Sequence, residues 1–474
     1  MSTGGNFWDS NVWSTLLLIS IILFSLLIGH QLRKLIPFLR KSLIPASVIG
    51  GTLLLILASV WKWLGGVNFF DLDIFEGVGV RSLEILTYHC LGIGFVAMAL
   101  RESDKKFDKK RTAEIFDSGV ITVSTYLIQA IVGLVISIVF TLLLSNMLDF
   151  KSAGLLLPFG YGQGTGQALN YGTTYENKFG FDGGKSFGLA IAALGFISAA
   201  IGGVIYLNIL RRKGKIDMNV IQEEELKITD FHGDGEIGQS DSIDKLTIQC
   251  AIVFGTYMLS YFLMYAVGLI GDGVKSIMYG FNFLLGTLLA VLVKFVLKKF
   301  RQANIIKHQY ISNYFMNRIG GFAFDVMIVA GIAAIQVDLL KDYWLVLIIM
   351  GVVGALVTFF YIRFVSIKLF PDYKYEQFFA MYGMLTGTAS TGVILLREID
   401  PKLSSKASEN IVYQSLPAIV FGFPMMLLAS FAPESDINTY ITLGILILFL
   451  VAMTIILFRR QIFKKKIVEE KSTN

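Results

Sequence analysis

The amino-acid sequence predicts an all-α polytopic membrane protein with about eleven transmembrane helices. They fall into two inverted-topology five-helix repeats, each carrying a re-entrant hairpin. Three observations predict this. Apolar runs long enough to cross a bilayer, about 20 residues each, recur from end to end. Of 474 residues, 54% are hydrophobic and only 16% charged, with a mean hydropathy of +0.66, whereas a soluble chain is about a quarter charged. Finally, 34 of the 41 Lys and Arg residues fall on one side of the predicted topology.

The first run, 11–30, follows MSTGGNFWDSNVWS, which has neither a positive charge nor a small-residue cleavage site. It therefore reads as a membrane helix with its N-terminus outside, not as a secretory signal. Spans at 43–64, 82–100, 118–146 and 184–210 complete an N-terminal repeat, 1–210, which also holds a glycine-rich segment at about 153–173. A polar, mixed-charge stretch, 211–245, reads as a cytoplasmic linker, and its HGDGE (232–236) as a solvated turn. Spans at 246–270, 277–298, 319–337, 342–368 and 408–430 form the second repeat, 246–430, interrupted at about 377–396 by another segment of glycines and small polar residues. An extra span, 438–458, and a basic tail fill 431–474.

The charge bias decides how the two broken segments run. If either crossed the membrane as a single span, every later loop would change sides and the excess of Lys and Arg on one face would vanish. Both therefore enter and return, which leaves the C-terminus cytoplasmic and the protein multi-pass in the cell membrane. The pI near 9.0 follows from those cytoplasmic loops, so no nucleic-acid partner is implied. Cys90 and Cys250 lie in apolar runs and the four histidines are scattered. No disulfide, transition metal or other cofactor is predicted.

Irregular backbone at membrane depth is tolerated only where it is buried in protein or lines a wet cavity. The two segments share a pattern, YGQGTGQAL (161–169) and YGMLTGTAS (382–390). Interrupted helices in matching places of inverted halves point to a solute site near the midplane. The substrate-binding candidates are Gly162, Gln163, Gly164, Thr165, Gly166 and Gln167 in the first hairpin, with Asn170 as a further polar group. In the second they are Thr386, Gly387, Thr388, Ser390 and Thr391, and Arg397 could meet a substrate carboxylate or snorkel at the interface. The alternative is that the glycines only allow close helix packing. A nucleotide loop is excluded, because no Gly-Lys-Ser/Thr ending is present.

Asp325 is the one acid well inside a predicted span. It could bind sodium, carry a proton, pair with a substrate amine or be a structural acid. Asn410 and Gln414, four apart and so on one helix face, join Asp325, Thr165 and Thr386 as ion-binding candidates. His89, in the third helix, reads as either a functional or a satisfied structural group.

IPASVIGG (44–51), GQGTGQA (162–168) followed by YENKFGF (175–181), and IGGVIYLNIL (201–210) resemble the bacterial sodium/glutamate symporter family. Gln163 and Gln167 stand where that family usually has histidine and alanine. The resemblance implies sodium-coupled secondary transport of glutamate or a related small anionic amino acid or carboxylate, with protons as the alternative coupling ion. It also implies a homodimer and an elevator-type mechanism. In that division helices three to five and eight to ten move with the hairpins, against a scaffold of helices one, two, six and seven. Another organic anion of the 2-hydroxycarboxylate kind is the alternative solute. An intramembrane aspartyl protease would need a second deep aspartate, and Asp272 is predicted at the outer surface. A channel would not need two opposed halves.

Overall fold

The computed structural model describes residues 6–101, 108–216, 243–271, 275, 278–280, 282–306, 308–400 and 405–472, without the side chains of residues 11, 390, 416 and 461–472. The HGDGE turn and Asp272 lie outside these residues. All regular structure among the described residues is helical. The main helices are α1 (Ser10–Leu35), α2 (Ala46–Gly65), α3 (Gly79–Leu100), α4 (Lys109–Leu143), α5 (Leu156–Gln163), α6 (Thr165–Phe179) and α7 (Gly184–Arg212). Then follow α8 (Lys245–Gly268), α9 (Asn282–Gln302), α10 (Asn313–Ala333), α11 (Trp344–Leu369), α12 (Lys374–Thr386), α13 (Ala389–Arg397), α14 (Lys406–Tyr413), α15 (Ser415–Phe431) and α16 (Asp436–Ser472).

Ten described segments are long and apolar enough to cross a membrane, and the protein is a multi-span membrane protein. Every predicted span meets a helix. The seventh, α9, runs into Lys294, Lys298, Lys299 and Arg301 and so falls outside the ten. The tenth is corrected. The run 408–430 is not one helix but α14 and α15, joined at Gln414, and the apolar stretch is Pro417–Glu434. Pro417 has no N–H with which to continue the ladder across that joint. Outward-facing Trp63, Phe262, Leu288, Phe360 and Leu448 stay exposed, apolar surface suited to lipid.

The helices pack as two bundles. α1, α2, α3, α8, α9 and α10 form one, with α3 against α10 as its most extensive contact. Small residues let these helices close up: Gly94 faces the Phe324 ring, Gly320 faces Met98 and Gly286 faces Val96. The other bundle holds α4–α7 and α11–α16. The third and eighth spans, α3 and α10, thus pack chiefly with the first bundle. The division implied by the resemblance had put them with the broken segments.

α16 belongs to the second bundle. Arg459 Nη1 lies 2.7 Å from Asp117 Oδ1 on α4, and its guanidinium sits 5.1 Å from the Phe116 ring centre. At the other end Asp436 pairs with Lys151, and the Ser152 and Thr439 hydroxyls meet at 2.9 Å.

Candidate functional site

Each glycine-rich segment is a helix, a break and a second helix that packs against the first. In the first, α5 ends at Gln163 and α6 begins at Thr165. Gly164 between them has φ +80° and ψ −171°, a region open essentially to glycine alone. The Phe159 and Tyr171 rings stack across the fold at 3.8 Å. In the second, α12 ends at Thr386 and α13 begins at Ala389, with Gly383 backed against Gly392.

The two breaks touch. A methyl group placed on Gly164 would lie 3.2 Å from Thr388 Cγ2 and 3.7 Å from the Gly387 carbonyl oxygen. The contact brings two helix N-termini together, those of α6 and α13, and no described side chain caps either. The first N–H groups of a helix have no intrahelical partner and carry its positive dipole end. The C-terminal ends of α5 and α12 bring carbonyls to the same breaks. Tyr126 hydroxyl donates to the Gly162 carbonyl at 3.0 Å, and Gln129 Nε2 donates to the Leu385 carbonyl and to Thr358 Oγ1, both at 2.9 Å. Gln129 Oε1 is buried with no partner among the described residues.

The breaks abut the first bundle through α10: Thr165 Oγ1 donates to the Met327 carbonyl at 3.3 Å. Beside them a cavity of about 330 Å³ opens between the bundles. Gly162, Gln163, Thr388, Tyr413 and Gln414 line its second-bundle wall, and Phe95, Arg101, Phe283, Lys294, Phe324 and Met327 its first-bundle wall. Among the described residues, its only charged lining residues are Arg101 and Lys294. Burial draws the Arg101 pKa below its ordinary value, opposed by the nearby Tyr413 phenol.

At the other end of the cleft the bundles are tied together. Lys185 Nζ is 3.3 Å from Glu84 and 3.4 Å from Glu176. Asn170 Nδ2 donates to the Gly280 carbonyl, and Ser186 Oγ accepts from the Gln336 N–H at 3.0 Å. Glu84 and Arg101 lie near opposite ends of α3, roughly 25 Å apart at 1.5 Å per residue.

The predicted residues therefore divide. Gly162, Gln163, Gly164, Thr165, Gly166, Thr386, Gly387 and Thr388 gather at the breaks. Thr391 is buried one turn along α13, its hydroxyl 3.4 Å from that of Thr388; the Ser390 side chain is outside the described residues. Gln414 joins them: it accepts from Thr122 Oγ1 at 2.8 Å and lines the cavity.

Others lie apart. Gln167 turns from the cavity and accepts from Asn170 at 3.3 Å. Asn410 donates to Gln377 at 2.8 Å, in the polar layer of Arg111, Glu114 and Tyr373. Arg397 is exposed at the far end of α13. Asp325 sits beside Ser47 of α2, and His89 Nδ1 meets the Tyr257 hydroxyl at 2.9 Å.

A family model described as sodium/glutamate symporter matches residues 9–389. The chain belongs to that family. As a symporter family member it is a secondary transporter, and the family description implies sodium-coupled glutamate transport. The match ends within α13, so α14–α16 lie beyond it. No curated protein matches the chain.

Sequence reasoning missed Arg101, Tyr126 and Lys294. Tyr126 had a readable signal, since it stands three residues before Gln129 within an apolar run, on one helix face. In the sequence Arg101 counts only as one of the 34 Lys and Arg residues on one side of the predicted topology.

Proposed function

We propose that the protein is a sodium-driven symporter that imports glutamate or a related small anionic amino acid or carboxylate, held between the two breaks. The observation that carries this is the meeting of two uncapped helix N-termini, from α6 and α13, in a cleft between bundles. Their dipoles favour a carboxylate there. Sodium takes the carbonyl ends of α5 and α12, with Thr165, Thr386 and the Gln129 amide oxygen as further ligands.

In this reading the two halves are inverted repeats and the broken segments re-entrant hairpins. The second bundle carries solute and ion past the first by an elevator movement, in a homodimer whose N-terminus is outside. The polar ties near Glu84 close one face while the cavity opens on the other. Each net positive charge carried inward adds about 2.3 kcal/mol per 100 mV of membrane potential to the driving force. Import of glutamate with more than one sodium ion is therefore electrogenic.

The test is uptake into liposomes holding the purified protein, with labelled glutamate, aspartate and 2-hydroxydicarboxylates, with and without an imposed sodium gradient. Saturable, sodium-dependent accumulation that grows with an inside-negative potential is expected. Uptake indifferent to sodium and protons rejects symport.

A further inference from the structure

The cavity has a property the breaks do not explain. Its charge comes from the first bundle, whereas the helix N-termini come from the second. No carboxylate stands among the described residues that line it. Lys294 Nζ is engaged at the end of α3, donating to the Ala99 carbonyl at 2.8 Å and the Arg101 carbonyl at 2.9 Å. The Arg101 guanidinium is not matched in this way. Among the described residues its Nη1 reaches only Met98 Sδ, at 3.9 Å, and its buried Nε has no partner. A half-buried guanidinium with no carboxylate against it among the described residues, at the wall of a solute-sized cavity, is a fork that fits an anionic oxygen pair.

We infer that Arg101 is a specificity-determining residue that captures the second carboxylate of a dicarboxylic solute, on one face of the membrane only. The inference rests on the transport reading above. A solute whose first carboxylate lies at the breaks would meet Arg101 across the cleft, from the opposite bundle. If the breaks move relative to the first bundle, the solute leaves Arg101 behind. Arg101 therefore strengthens binding while the cleft is open on its own face and contributes nothing when the site faces the other way. It also discriminates. An amide in place of the second carboxylate gains far less from a guanidinium, so selection of dicarboxylates over their monoamides is strongest on this face.

The experiment compares wild type, Arg101→Gln and Arg101→Lys in right-side-out and inside-out membrane vesicles, which present the two faces in turn. Half-saturation is measured for glutamate and glutamine. Loss of a charge-assisted hydrogen bond is expected to raise the glutamate constant of Arg101→Gln by about 10- to 100-fold on the Arg101 face. The other face should stay at the wild-type value, and the preference for glutamate over glutamine should collapse on the Arg101 face alone. Arg101→Lys, which keeps the charge but not the fork, should show a smaller rise on the same face. Its uptake also carries the test if the glutamine variant melts early.

An equal rise on both faces, or none on either, overturns the inference while leaving symport intact. Wild-type vesicles that do not take up glutamate under a sodium gradient reject the parent reading, and this one with it.

Discussion

Replacing Gly164 with alanine probes the contact on which the site rests. Two costs follow from the structure. At φ +80° and ψ −171° an L-residue is strained by about 1–3 kcal/mol. The added methyl also meets Thr388 Cγ2 at 3.2 Å, closer than comfortable carbon–carbon contact. The strain can be relieved locally by parting the breaks, so the loss should fall on solute binding more than on folding. If relief requires that separation, 1–3 kcal/mol lowers the binding-competent fraction by about 5- to 150-fold. Glutamate half-saturation in proteoliposomes should rise within that range.

Gly180→Ala is the control. Gly180 also has a positive φ, +73°, but its surroundings are open and it caps the far end of α6. It should cost stability without changing uptake. In the double variant Gly164→Ala/Thr388→Ser the methyl contact is gone and the backbone strain remains, so recovery should be partial. Wild-type uptake and melting temperature in Gly164→Ala would refute the reasoning, since the break could not then have this backbone or this neighbour.

Gln163 lines the cavity and Gln167 does not, so Gln163→Ala should raise the solute half-saturation while Gln167→Ala leaves it near wild type; equal effects in uptake would contradict the placement. Arg459→Ala leaves the Asp117 carboxylate, 9% exposed, without its partner and should cost about 1–3 kcal/mol, seen as a lower melting temperature in detergent that Asp117→Asn partly restores. Asp325→Asn should retain sodium dependence, because the carboxylate stands beside Ser47 rather than at the breaks; a shifted sodium activation curve would return it to the ion site.

What could be read from the sequence was what the chain enforces locally. Apolar runs must be helices in lipid, because backbone polar groups have no other partner there, and every predicted span except 408–430 meets a single helix. The two breaks were equally legible, since clusters such as GQGTG cannot propagate a regular apolar helix. Pro417 was legible too, and the predicted span 408–430 ran through it only because the apolar pattern continues on both sides. Partnership was not legible. Gln163 and Gln167 lie four residues apart in one glycine-rich stretch, yet the break at Gly164 lies between them, and one faces the cavity while the other bonds Asn170. Asp325 and Met327 differ by two positions on α10, about 200° around the helix at 3.6 residues per turn, so one packs beside α2 and the other against the breaks. For the same reason Arg101 escaped notice. Its sequence setting, the end of an apolar run before a charged loop, is that of an interfacial anchor, and only the approach of a second bundle turns that end into a wall of the cleft.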